Sequence, residues 1–226
     1  IRQKDPDFQE VLNDLRYGNV TPKAKELLLS RIGVELKNEL GIKPTRIHTT
    51  NDVVDNINNK ELEKLVEKVE EVFEYDMEVR FEAFVQDREG TIEKHRKSCP
   101  VPDKLKLCVG AQVMLMYNMS VESGLANGSR GVITDFIDDK PYVKFLNGEE
   151  VVIDYYTWEI EEDKKLVASI SQIPLRLAWA ITAHKSQGAT LDYAEVDLSN
   201  VFTHGQAYVA LSRVKSKEGL KIISIN

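Results

Sequence analysis

Residues 174–188 read Pro174-Leu175-Arg176-Leu177-Ala178-Trp179-Ala180-Ile181-Thr182-Ala183-His184-Lys185-Ser186-Gln187-Gly188. An apolar run stops abruptly on a cation, a hydroxyl, an amide and a glycine. Downstream, Ala194 to Leu198 reads as a strand. Tyr208, Val209 and Leu211 belong to a helix ending near Arg213, and Leu220 to Ile225 is a terminal strand. The opening of the chain alternates in the same way. Phe8, Val11, Leu12 and Leu15 recur at helical spacing and stop at Gly18, and Thr21-Pro22 supplies the cap and first-turn proline of a second helix. Pro44 to Thr49 reads as a short strand, and Asn51 or Asp52 caps the next helix. A charged segment from Glu61 to Glu82 is expected to be an acidic helix burying Leu62, Leu65, Val66, Val69 and Val72. Phe81 to Val85 is expected to turn to strand, and residues 86–104 to be a long polar connection.

Between these ends the pattern is all-β. Val113 to Tyr117 is a buried strand, Asn127-Gly128 a tight turn, and Gly131-Val132-Ile133 the start of another strand. Tyr142 to Leu146, Asn147-Gly148 and Val151 to Ile153 form the clearest hairpin, with Trp158 and Ile160 closing the set. Short strands with tight turns are the mark of a small barrel. The predicted fold class is therefore α/β, one domain split by an inserted small barrel.

The chain has 226 residues, 42% of them hydrophobic and 30% charged, which suits a folded globular protein rather than a disordered one. No run approaches the eighteen apolar residues of a membrane span, and no secretory leader is visible, so a membrane partner is not expected. Two cysteines, Cys99 and Cys108, exclude a disulfide framework and a four-cysteine zinc site and favour a reducing compartment. The net charge of -7 is local. Residues 61–82 hold nine acidic and three basic side chains and so carry six of those charges, which leaves the remainder free to meet a polyanion.

No G-x-x-x-x-G-K-[ST] phosphate loop or G-x-G-x-x-G occurs, and Gly128-Ser129-Arg130-Gly131 reads as a turn. His48, His95, His184 and His204 lack metal-ligand spacing, so no metal site is expected. Ser186 lacks a nucleophile elbow. His184 to Gly188 either offers donors to phosphate oxygens or is a solvated loop. Arg213 either satisfies the last carbonyls of its helix or reaches a phosphoryl group as a rigid guanidinium.

Several motifs together carry a resemblance. Arg2-Gln3-Lys4-Asp5, Gly110 to Leu115, Gly124 to Gly131, His184 to Gly188 and Gly205 to Arg213 resemble, in order, the PIF-one (petite integration frequency) family of RecD-like superfamily 1B DNA helicases. The resemblance implies a RecA-like (P-loop NTPase-like) second helicase domain, in two parts at 1–80 and 169–226, split at 81–168 by an inserted SH3-like barrel. It implies that the first RecA-like domain, with the phosphate loop and the Mg ligands, is absent, and that the fragment alone is inactive.

By the same resemblance Arg213 is the arginine finger, and Arg2 reaches the same γ-phosphate of ATP. Gln3, Gln187 and Gly188 face the nucleotide. His184, Lys185, Ser186, Thr45, His48 and Thr49 meet single-stranded DNA, with Asn127 and Arg130 as weaker contacts at the strand exit. The implied partners are single-stranded and fork DNA and the missing domain. The implied setting is intracellular: nucleus or mitochondrion if eukaryotic, otherwise cytoplasm, in DNA repair, recombination and telomere maintenance. A competing reading keeps the barrel central, as an SH3-like protein-docking module with Tyr117, Tyr142, Tyr155, Tyr156 and Trp158 on its surface. A third is a non-catalytic helicase remnant.

Overall fold

The structure is a computed structural model that describes residues 3, 5–48, 50–96, 99–186, 188–199 and 204–225. Helix α1 (Pro6–Arg16) starts where Asp5 accepts from the amides of Asp7 and Phe8, and α2 (Pro22–Ser30) where Thr21 accepts from Ala24. Then come β1 (Thr45–His48), α3 (Asn51–Val66), β2 (Phe73–Asp76), β3 (Glu78–Phe81) and α4 (Arg88–Arg96). The middle is β4 (Lys104–Leu107), β5 (Gln112–Leu115), β6 (Arg130–Ile137), β7 (Lys140–Phe145), β8 (Glu150–Val152), β9 (Tyr156–Glu162) and β10 (Lys165–Gln172). The chain closes with β11 (Leu175–Leu177), β12 (Ala180–Thr182), β13 (Ala194–Leu198), α5 (His204–Leu211) and β14 (Leu220–Ile225).

Both ends of the chain build one parallel sheet, ordered β12-β1-β13-β14. Its core gathers Phe8, Val11, Leu12, Ile47, Ile181, Val196, Leu211 and Ile222, from residues far apart in sequence. The middle of the chain builds a five-stranded antiparallel sheet, β11-β5-β6-β7-β8, a three-stranded sheet, β3-β10-β9, and the pair β2-β4. A second core, with Leu107, Val113, Leu115, Ile133, Phe145, Ile153 and Leu175, lies under the five-stranded sheet. The expected mixed α/β class is what the chain forms.

Several expectations need correction. The acidic stretch 61–82 is not one helix. α3 ends at Val66, and from Phe73 apolar and charged residues alternate with period two, so Tyr75 is buried while Glu74 and Asp76 point out. High glutamate content favours helix locally, but alternation that matches a buried face wins. The expected strand at 81–85 therefore lies earlier, in β3, and Phe84 is left 61% exposed. The polar connection contains α4, where Asp87 accepts from the Gly90 amide. Trp158 and Ile160 do not close the hairpin sheet. They lie on β9, paired with Ile170 and Ala168 of β10.

The apolar run 175–181 is two strands in two sheets. Between them the Ala178 amide bonds to Gln112 O of the antiparallel sheet, and Trp179 O accepts from Arg46 of the parallel one. The chain thus passes from one sheet to the other across two residues. The cap expected at Asn51 or Asp52 falls on Thr50, whose side chain makes no capping bond. Expected boundaries at 80/81 and 168/169 fall inside β3 and β10, which pair with each other.

Candidate functional site

In a parallel sheet the carboxyl ends of the strands and the loops that follow them form the natural ligand edge. Here β1 ends at His48 and β12 at Thr182, and the amide of Ala183 bonds to His48 O at 2.9 Å, folding the loop after β12 over the end of β1. That loop is a tight turn. Ser186 N bonds to Thr182 O at 2.9 Å, Lys185 N to Thr182 Oγ1 at 3.2 Å, and Ser186 Oγ donates to Ala183 O at 2.7 Å. Gly188 sits at φ +84°, in the left-handed region that favours glycine.

Lys185 is half-buried at a groove of about 360 Å³ between α3, Pro102 to Lys106 and β11–β12. Burial pushes its amine below the usual lysine value, and the charge of Arg176 pushes it the same way. Arg176 is itself lowered by burial and donates to Pro100 O at 3.1 Å, while Asp55 on α3 opposes both shifts. Two cations thus converge on one groove together with Lys104 and Lys106. The arrangement suits an anion that supplies the missing counter-charge. The signal for Arg176 was a charge standing inside an otherwise apolar run.

His48 lies beside this loop. Its Nε2 is buried with no hydrogen-bond partner among the described residues, and burial, then Arg46, hold its imidazole below the ordinary histidine value. Asp197 and Glu195 oppose the shift without reversing it.

Arg213 follows α5. Its Nε donates to Val209 O at 3.1 Å, so the helix-capping role holds, and Nη2 donates to Ser212 Oγ at 2.9 Å. Nη1 reaches Ser186 O at 3.4 Å. The arginine therefore touches the loop that carries Lys185. Gln3 lies on the same side, its Nε2 donating to Ser212 O at 2.7 Å and to Val214 O at 3.1 Å.

The fold brings His48, His184, Lys185, Ser186, Gly188 and Arg213 around one loop, with Gln3 bonded to the backbone on either side of Arg213, and Asn127 abuts the loop. A Cβ added at Gly188 would lie 3.5 Å from Asn127 Nδ2. Arg2, Thr49 and Gln187 lie outside the described residues. Three residues expected as exposed strand contacts are not surface groups. Thr45 and Ser186 are fully buried, each hydroxyl donating to a main-chain carbonyl, and the Arg130 side chain is 1% exposed among protein partners. A sequence shows their polarity but not the closing of a second sheet over them. Ser186 can offer only its backbone.

The description "DNA helicase Pif1, 2B domain" matches residues 94–136. Human ATP-dependent DNA helicase PIF1 is 38% identical over 230 residues, covering all of this chain and 34% of the human protein. Unliganded Pif1 from Bacteroides sp. superposes with a TM-score of 0.79 at 32% identity, over all of this chain and 51% of that one. Along its whole length the chain is similar to part of a Pif1 helicase. Bacteroides Pif1 in complex with ADP-AlF3 and ssDNA gives a TM-score of 0.58 at the same identity, over all of this chain and 51% of that one. The chain spans about a third of the length of the human relative and half that of the bacterial structures.

Proposed function

We propose that this chain is the part of an ATP-dependent DNA helicase that grips single-stranded DNA and senses the nucleotide. In this reading the parallel sheet is the second RecA-like domain, and the five-stranded sheet belongs to an SH3-like insertion. β2 and β3 group with the inserted strands they pair with. The observation that carries the reading is the bond from Arg213 Nη1 to Ser186 O, which ties a phosphate-seeking arginine to the loop bearing Lys185.

Arg213 would serve as arginine finger across a cleft formed with the first RecA-like domain, which would bring the phosphate loop and the Mg ligands. Arg2, Gln3, Gln187 and Gly188 are assigned to the nucleotide side. His184, Lys185, Arg176, His48, Thr49 and the Ser186 backbone are assigned to the strand, and Asn127 to the loop's flank. The residues present fit the sensing half of an ATP site: a half-buried guanidinium held by carbonyls, ready to exchange a weak acceptor for a phosphate oxygen. Turning toward a γ-phosphate, Arg213 gives up its 3.4 Å bond to Ser186 O, so the loop and Lys185 shift on the strand. That difference in contact is what lets the nucleotide bias one state over the other. Substrates are single-stranded and forked DNA, the setting is intracellular, and unwinding requires the partner domain.

The test is strand binding by this chain across a salt series. Replacing Lys185 by Ala should remove one phosphate contact and reduce the slope of log affinity against log salt by about 0.7. An unchanged slope overturns the assignment of this loop to the strand.

A further inference from the structure

A polar cluster lies buried where the five-stranded sheet meets the parallel one, and neither strand nor nucleotide accounts for it. Gln112 opens β5. Its Nε2 donates to Lys43 O at 2.8 Å and to Ala178 O at 2.9 Å, and its Oε1 accepts from Lys43 N at 2.9 Å. Arg130 opens β6. Its Nη1 donates to Lys43 O at 3.2 Å and to Thr45 Oγ1 at 3.0 Å, while Thr45 Oγ1 donates to Ala178 O at 2.9 Å. The guanidinium lies over the Tyr193 ring at 5.6 Å, and its Nε and Nη2 have no hydrogen-bond partner among the described residues.

A buried cation with unmatched donors lowers stability compared with an apolar side chain of its size. What it provides is geometry. Every hydrogen-bond partner named, Lys43, Thr45 or Ala178, belongs either to the segment that forms β1 or to the link that enters β12, and these strands end at His48 and at the loop of Lys185. The turn that leads into β6 closely approaches the far end of that loop. A Cβ on Gly128 (φ +98°) would lie 2.6 Å from Thr190 N and 2.8 Å from Thr190 O. The five-stranded sheet therefore holds the loop at its entry and at its exit.

We propose that Arg130, with Gln112, is a positioning residue that fixes the five-stranded sheet on β1 and on the Ala178 link and so sets the aim of the Lys185 loop. The inference rests on the reading of Lys185 as a strand contact, and it differs from a direct contact of Arg130 with DNA.

A double-mutant cycle separates these, using this chain and a labelled oligothymidylate. Arg130→Met should weaken binding roughly tenfold with Lys185 intact but less than twofold when Lys185 is already Ala, because both act through one loop. Arg130→Lys, which keeps the charge and a donor toward Thr45, should restore most of the affinity. Equal losses in both backgrounds, or no loss at all, overturn the proposal. Should Arg130→Met fail to fold, Thr45→Val enters the same cycle and is judged by the same outcomes. If Lys185→Ala weakens binding and neither joint variant does, this inference alone fails. If Lys185→Ala has no effect, the reading beneath it fails as well.

Discussion

β12 is the edge strand of the parallel sheet, and on its outer side the Asn58 side chain pairs with the Ala180 backbone. Asn58 on α3 donates from Nδ2 to Ala180 O at 3.0 Å and accepts at Oδ1 from Ala180 N at 2.9 Å, acting as the missing neighbouring strand. Asn58 is 7% exposed and Ala180 1%, so water does not readily replace either bond. Asn58→Ala strands one buried N–H and one buried C=O at about 1–3 kcal/mol each. Allowing for relaxation, the expected loss is about 3 kcal/mol, and a chain of this size should melt roughly 6–12 °C lower. The assay is thermal unfolding followed by circular dichroism, with the exposed neighbour Asn59→Ala as the control, expected within about 0.5 kcal/mol of the parent. A loss below about 1 kcal/mol for Asn58→Ala would refute the strand-mimic role. The same variant should also weaken strand binding, since β12 leads into Lys185.

His48 has a folded-state value below that of the unfolded chain, so it contributes stability present above about pH 6.5. That stability is lost as the pH falls through the lower folded value. Urea titrations of the parent should show this decline as the pH falls below about 6.5, and His48→Gln should flatten it. For Arg176, replacement by Gln should weaken strand affinity and lower the salt slope by about 0.7, as for Lys185. An unchanged slope in an equilibrium titration would remove Arg176 from the groove's function.

Local chemistry made much of the fold readable in the sequence. Thr21-Pro22 opens α2 as expected because the hydroxyl and the fixed proline φ act within one turn. The 142–153 hairpin follows from alternation around Asn147-Gly148, where Gly148 takes φ +92° and Tyr142 pairs with Val152. The strand order β12-β1-β13-β14 was not readable, because β1 pairs with β12 and β13 from more than a hundred positions away. The acidic stretch misled for another reason: its glutamates satisfy helix propensity and strand alternation alike, and only the apolar face of the neighbouring sheet decides.

At the site, the turn at His184 and Lys185 and the arginine after the last helix were visible as charges following apolar runs. Thr45 and Arg130 were misplaced because polarity in a sequence carries no record of what packs over it. Arg176 was passed over because the leucines on either side of it read as core.

The most direct measurement of the shared-loop idea is DNA-stimulated ATP hydrolysis by this chain joined to the phosphate-loop domain of a Pif1 helicase, with Arg213 as Arg and as Ala. The expected result is a fall of roughly three to five orders of magnitude in turnover with strand affinity nearly unchanged. Turnover equal to that of the parent would contradict it.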